Sequence, residues 1–178
     1  MLLLISLNQT KEYEYQHAYN EQRYVSKILA IENGWRIQGD NICYGARDDQ
    51  PGKFSINHEG MLIGVKLVHR SGYVTCAKNT PSYKSLWGCG DHANIITLIA
   101  NDRRQKLFNY NLGSLGGVNG KKSREIVYID KTNPIYATKG MELQIWYSED
   151  FSNSAESDND GKHCVDVYVK LVDPEHQM

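Results

Sequence analysis

The stretch that decides the fold runs over residues 146–172, WYSEDFSNSAESDNDGKHCVDVYVKLV. Its last nine residues alternate: Val165, Val167, Val169 and Leu171 fall on one face, and Cys164, Asp166, Tyr168 and Lys170 on the other. A period of two is the signature of a half-buried β-strand, because successive side chains point to opposite faces of a sheet. The residues before the loop, MELQIWY at 141–147, also read as a strand. Between the two lies an acidic loop in which Glu156, Asp158 and Asp160 alternate and Gly161 follows.

Working outward, the same pattern recurs at short intervals. Candidate strands lie at 35–38, 41–46, 53–57, 61–69, 72–76, 94–100, 105–110, 124–129 and 134–138, most of them bounded by Gly, Asn, Asp or Pro. In the segment 61–69, Ile63, Val65 and Leu67 share a face, opposite Gly64 and Lys66. Regularly spaced short strands without a repeated strand–helix unit predict an all-β fold, an antiparallel β-sandwich of jelly-roll or Ig-like kind. Before Asn33-Gly34 the pattern differs. KEYEYQHAYNEQRYVSKILA at 11–30 lacks Gly and Pro and places Tyr15 and Tyr19 at helical spacing, which suggests one short helix or an ordered arm. The expected organisation is an N-terminal arm over 1–32 and one β-sandwich domain over 33–178.

The 178 residues suffice for a sizeable core, and 40% apolar with 23% charged residues is an ordinary globular composition. A net charge of −1 lacks the basic excess of a nucleic-acid binder. The opening MLLLISL is far short of the about 20 apolar residues of a membrane span, and lacks the basic start and cleavage site of a full signal peptide. It reads as a signal remnant or a short strand. Asn8-Gln9-Thr10 is a glycosylation sequon.

Cys43, Cys76, Cys89 and Cys164 contain no CxxC pair, and in a turn-rich, tyrosine-rich chain they read as two disulfides formed in an oxidising compartment. Of three possible pairings, Cys76–Cys89 with Cys43–Cys164 is favoured: one closes a local loop, the other ties an early strand to the last. A zinc site on Cys89 and His92 lacks a second close ligand pair.

The spacing Glu156, Asp158, Asp160, Gly161 resembles the start of a calcium loop, in which alternate side chains converge on a hard cation. It is no EF-hand, since position twelve is Val167 and the flanks are strands. Asp150 and Asp166 are expected to complete the oxygen shell, a solvated acidic turn being the alternative. In the loop 75–92, Tyr83 and Trp87 are candidate ligand-contacting aromatics, although Trp87 could equally cover the disulfide from inside the core. Catalytic arrangements are poor. His163 and Cys164 point to opposite faces, Ser85 with Asp91 and His92 lacks a nucleophile elbow, and GSLGGVNG at 113–120 lacks the phosphate-loop Lys-Ser/Thr pair.

Trp146-Tyr147-x-Glu149-Asp150, with Glu156-x-Asp158-Asn159-x-Gly161-x-x-Cys164-x-Asp166-Val167-Tyr168, resembles the C-terminal signature of a family of secreted β-rich domains from cnidarians and other marine invertebrates. GVKLVHRSGYVTC and WGCG look like its upstream part, so the resemblance spans about residues 40–170. It implies a secreted, disulfide-bonded β domain and carries no established activity. The expected function is a secreted, non-enzymatic recognition module, calcium-dependent, with a glycan or an extracellular protein as partner. The alternative is a structural matrix protein that self-associates into homo-oligomers.

Overall fold

The computed structural model describes residues 12–22, 33–90, 95–108 and 118–173. The opening apolar stretch, the sequon, the second half of the expected N-terminal helix, Asp91-His92 and most of the glycine-rich loop lie outside the described residues. The chain divides into two compact units, Met1–Arg36 and Ile37–Met178. In the first, residues 12–22 form helix α1, along which Tyr13 lies against His17, and His17 Nδ1 stands 3.8 Å from Glu21 one turn on.

The remainder is built of strands β1 (Trp35–Gly45), β2 (Gly52–Ser55), β3 (Gly60–Gly72), β4 (Thr97–Asn101), β5 (Lys106–Leu107), β6 (Glu125–Ile129), β7 (Ile135–Ala137), β8 (Glu142–Tyr147) and β9 (Lys162–Val172). Two sheets form. One has the order β1-β9-β3-β6, with β7 also on β3; the other has the order β2-β8-β4-β5. The β3–β9, β3–β6, β3–β7, β2–β8, β4–β8 and β4–β5 pairs are antiparallel. The fold is thus an all-β sandwich.

Its core follows from the alternation. Val165, Val167 and Val169 of β9, Val65 and Leu67 of β3, and Ile126 and Tyr128 of β6 are buried in one cluster with Leu143, Ile145 and Tyr147 of β8, Phe54 of β2 and Ile99 of β4. Two departures from the expected strands have local causes. The segments 35–38 and 41–46 form a single strand, bent where Asn41 takes a left-handed backbone (φ 58°) and donates its amide to Asp166 Oδ1. Of the expected strand 72–76, Gly72 ends β3, and the residues after it leave the sheet and make single bridges, Val74 to Ser85 and Thr75 to Asp160. Here two strand ends cross so closely that a Cβ on Gly72 would run into the Lys162 carbonyl, and one on Gly161 into the Tyr73 carbonyl.

All four cysteines are paired, Cys43 with Cys164 and Cys76 with Cys89. No thiol is left for a zinc site. Trp87 is 0% exposed, its indole nitrogen donating to Ser123 O at 2.6 Å and its ring meeting His163 edge-on at 4.6 Å. The expectation that Trp87 touches a ligand is therefore corrected: its large apolar surface is spent inside the core, under the Cys76–Cys89 loop.

Beside Trp87 runs a buried polar chain whose proton directions can be deduced. Trp87 O can only accept, so the Thr97 hydroxyl donates to it at 3.1 Å. Tyr44 then donates to Thr97 (2.9 Å), His163 Nδ1–H to Tyr44 (3.0 Å), and His69 Nδ1–H to His163 Nε2 (2.8 Å). Every link is satisfied with both imidazoles neutral. Burial, with Arg124 nearby, lowers His69 to about 4; burial, then His69 and Arg124, lowers His163 to about 3.

Candidate functional site

After Tyr147 the chain leaves β8 through the one-turn helix α2 (Ser148–Ser152), reverses at Asn153 and Ala155, makes a 3-10 turn over Glu156–Asp158 and enters β9 past Gly161. Against this corner packs the β1–β2 connection at 46–50. The connection is held by carboxylates 100 to 108 residues away. Asp49 and Gln50 donate their amides to the two Asp150 oxygens, at 2.7 and 3.1 Å, and Asp48 donates to Glu156 Oε2 at 3.2 Å. Three successive amides, with Asp48 and Asp49 left-handed (φ 64° and 53°), form a concave anion nest that Asp150 and Glu156 fill. Asp150 is 0% exposed. Its burial raises its pKa, the two amides resist this, and Glu156 adds to it.

In the other half of the corner no described residue supplies such amides. Asn159 is 0% exposed and spends its amide group on Ala46 O at 2.9 Å. Its Oδ1 and the neighbouring Glu149 Oε2 are buried oxygens with no hydrogen-bond donor among the described residues. Burial raises the Glu149 pKa, the Asn159 amide beside it lowers it, and the Asp158 charge raises it further. The Tyr147 phenol is pushed up as well, first by burial and then by Glu149, Tyr44 and Asp158. A buried oxygen without a donor costs about 1–3 kcal/mol. Glu149 Oε2 and Asn159 Oδ1 are both hard oxygens of this kind, and Glu149 also faces the charge of the exposed Asp158.

The outer face of the second sheet adjoins the same corner. Leu98, Ala100 and Trp146 are buried there beneath Phe151. Arg104 Nη2 donates to Asp49 Oδ1 (2.8 Å), Phe151 O (3.0 Å) and Asp150 O (3.4 Å), and its guanidinium lies 4.5 Å from the centroid of the Trp146 ring. Of the seven non-glycine residues with left-handed backbone among the described residues, five meet here: Asp48, Asp49, Arg104, Asn153 and Ala155. Such strain gathers where function over-determines geometry.

The sequence-predicted ligands are thus divided. Asp150, Glu156 and Asp158 belong to this corner, with Asp150 and Glu156 committed to backbone amides. Asp160 is exposed, and its backbone pairs with Thr75. Asp166 lies on the outer face of the first sheet, bound to Arg70 at 3.2 Å and to the Asn41 amide at 3.1 Å. The five carboxylates do not converge on one point: among the described residues no three His, Cys, Asp or Glu side chains are placed to share an ion. Tyr83, 42% exposed, ends the 3-10 turn Pro81–Tyr83 with its ring against Gly90. Glu149 and Asn159 escaped the sequence reading because spacing rules count alternating carboxylates and pass over an amide oxygen. The signal was the paired Glu149-Asp150 directly after a strand.

No family model matches the chain, and no curated protein matches it. Among solved structures it is similar to AJLec from the sea anemone Anthopleura japonica, whose name is that of a lectin. The TM-score is 0.70 at 29% identity, over 78% of this chain and 98% of that one. The cnidarian likeness drawn from the C-terminal stretch and the β-rich fold agree with this neighbour.

Proposed function

We propose that this protein is a secreted, non-enzymatic recognition module that binds glycans at the β8–β9 corner through a calcium ion held by Glu149, Asn159 and Asp158. The observation that carries the reading is the pair of donorless buried oxygens, Glu149 Oε2 and Asn159 Oδ1. A cation there relieves both desolvation and the Glu149–Asp158 repulsion, and leaves outward coordination positions for vicinal sugar hydroxyls. The likeness to a lectin-named protein supports the ligand class, and two disulfides suit an extracellular location. No helix among the described residues is long and apolar enough to cross a membrane.

The test is a calcium titration of the melting temperature together with a glycan array run in calcium and in chelator. Calcium at about 100 times its Kd is expected to add about 2.7 kcal/mol of stability. Glu149→Gln is expected to remove that gain, and array signal is expected in calcium alone. A melting temperature indifferent to calcium rejects the cation; an array blank under both conditions rejects the lectin reading.

A second reading, self-association in an extracellular matrix, draws on Tyr136 (54% exposed, on β7) and Ile129 (36%, on β6) at one end of the first sheet. A monomeric mass in solution at high concentration counts against it.

A further inference from the structure

The β4–β5 hairpin places cations beside the corner in a way that the corner itself does not use. Residues 101–107 read NDRRQKL, three basic residues and one acidic. Register fixes where Lys106 points. It pairs with Ala100, which pairs with Gln144, and Ala100 belongs to the outer cluster with Leu98 and Trp146. Lys106 therefore stands on the outer face of the second sheet. Its Nζ lies 5.7 Å from the centroid of the half-buried Phe151 ring, and the Arg104 guanidinium lies 5.6 Å from the same ring. Phe151 is packed edge-on against Trp146 at 5.7 Å, so its position is set from beneath.

Part of the positive charge on this hairpin is not balanced among the described residues. Arg104 is committed to Asp49, and Glu142, the carboxylate further along β8, is committed to Lys53 at 3.3 Å. Arg103 and Lys106 are exposed, and neither forms an ion pair with a carboxylate among the described residues. Arg104, which reaches the Phe151 ring and also Asp49 Oδ1 and the Asp150 carbonyl, joins this platform to the Asp150 side of the corner. An aromatic ring offers the apolar C–H face of a sugar a stacking surface, and an ammonium or guanidinium beside it selects a negative substituent.

We infer that Phe151 and Lys106 form a subsite for an anionic group, sulfate or carboxylate, on the sugar next to the one held at the corner, with the exposed Arg103 of the same hairpin adding positive charge. The preferred ligand class is then an acidic oligosaccharide. This rests on the glycan-binding reading, and the experiment separates the two. Neutral oligosaccharides, their O-sulfated forms and their sialylated forms are arrayed side by side in calcium, with wild type, the double variant Arg103→Ala/Lys106→Ala, and Glu149→Gln. Wild type is expected to hold acidic forms about 3- to 10-fold more tightly than their neutral parents, the range open to two exposed charge pairs, at about 50 mM salt. That gap should close at about 0.5 M salt, where screening is short-ranged. The double variant should retain the neutral parents and lose the gap; Glu149→Gln should weaken both. Neutral and acidic forms bound alike by wild type, or a gap surviving in the double variant, overturn the subsite while leaving the corner standing. Wild type binding no glycan overturns both. A gap confined to sulfated or to sialylated forms identifies which anion the subsite takes.

Discussion

Two buried polar regions of this molecule are built from similar groups and end in opposite states. The chain His69–His163–Tyr44–Thr97–Trp87 O is closed: each proton in it has an acceptor within the protein. At the β8–β9 corner the Asp150 half is equally closed by backbone amides, yet Glu149 Oε2 and Asn159 Oδ1 a few residues away have no donor among the described residues. Burial alone therefore does not mark a site. A satisfied buried network specifies the fold, and an unsatisfied one beside solvent and strained backbone points to something that binds.

The largest effect that tests this contrast is in the closed region. Trp87→Ala is expected to cost about 3–5 kcal/mol in urea denaturation, as the deletion of a fully buried ring does. Glycan binding by the folded fraction should persist. Unchanged stability with lost binding would return Trp87 to the role of a surface contact.

Next in size is the response to acid. Folded-state values depressed to about 4 and about 3 mean that His69 and His163 resist protonation in the fold. Their contribution is full above the unfolded value of 6.5 and is lost as pH falls below it towards 3–4, at about 1.4 kcal/mol per pH unit for each proton. Glu149 and Asp150, raised in the fold, act in the opposite sense: without calcium they cost stability as pH rises through their folded values. His163→Leu isolates the imidazole share and should flatten the decline between pH 6.5 and 4.5. An unchanged slope breaks the assignment of a neutral, closed network.

The smallest effect is Glu149→Gln in chelator. An open site loses little when its charge is removed, so stability should change by less than about 1 kcal/mol, in the stabilising direction because desolvation and the Asp158 repulsion are relieved. A loss of several kcal/mol would show Glu149 to be a brace, like Asp150.

Much of the architecture was legible from residue order. The alternation in 164–172 put Val165, Val167 and Val169 inside, as observed, and the turn residues after 101, 129 and 138 marked real strand ends. Tyr168 and Asp166, on the face opposite the valines, are buried as well, Tyr168 beneath Lys66 and Asp166 against Arg70. The candidate site was half legible: the acidic loop was found, but its carboxylates were ranked by spacing.

What the sequence by itself determined is most of the strands, their inward faces, the disulfide pairing favoured among three, and the presence of an acidic corner. These follow from local period, turn chemistry and loop closure, all read over a few residues at a time. Only the tertiary structure decided which oxygens of that corner are engaged. Asp150 is satisfied by amides at 49 and 50, Asn159 is oriented by the carbonyl at 46, and Arg104 is drawn over Trp146 from another hairpin. Hydrogen-bond satisfaction is a property of partners about a hundred residues apart, and it separates a carboxylate that braces the fold from one that the fold leaves open.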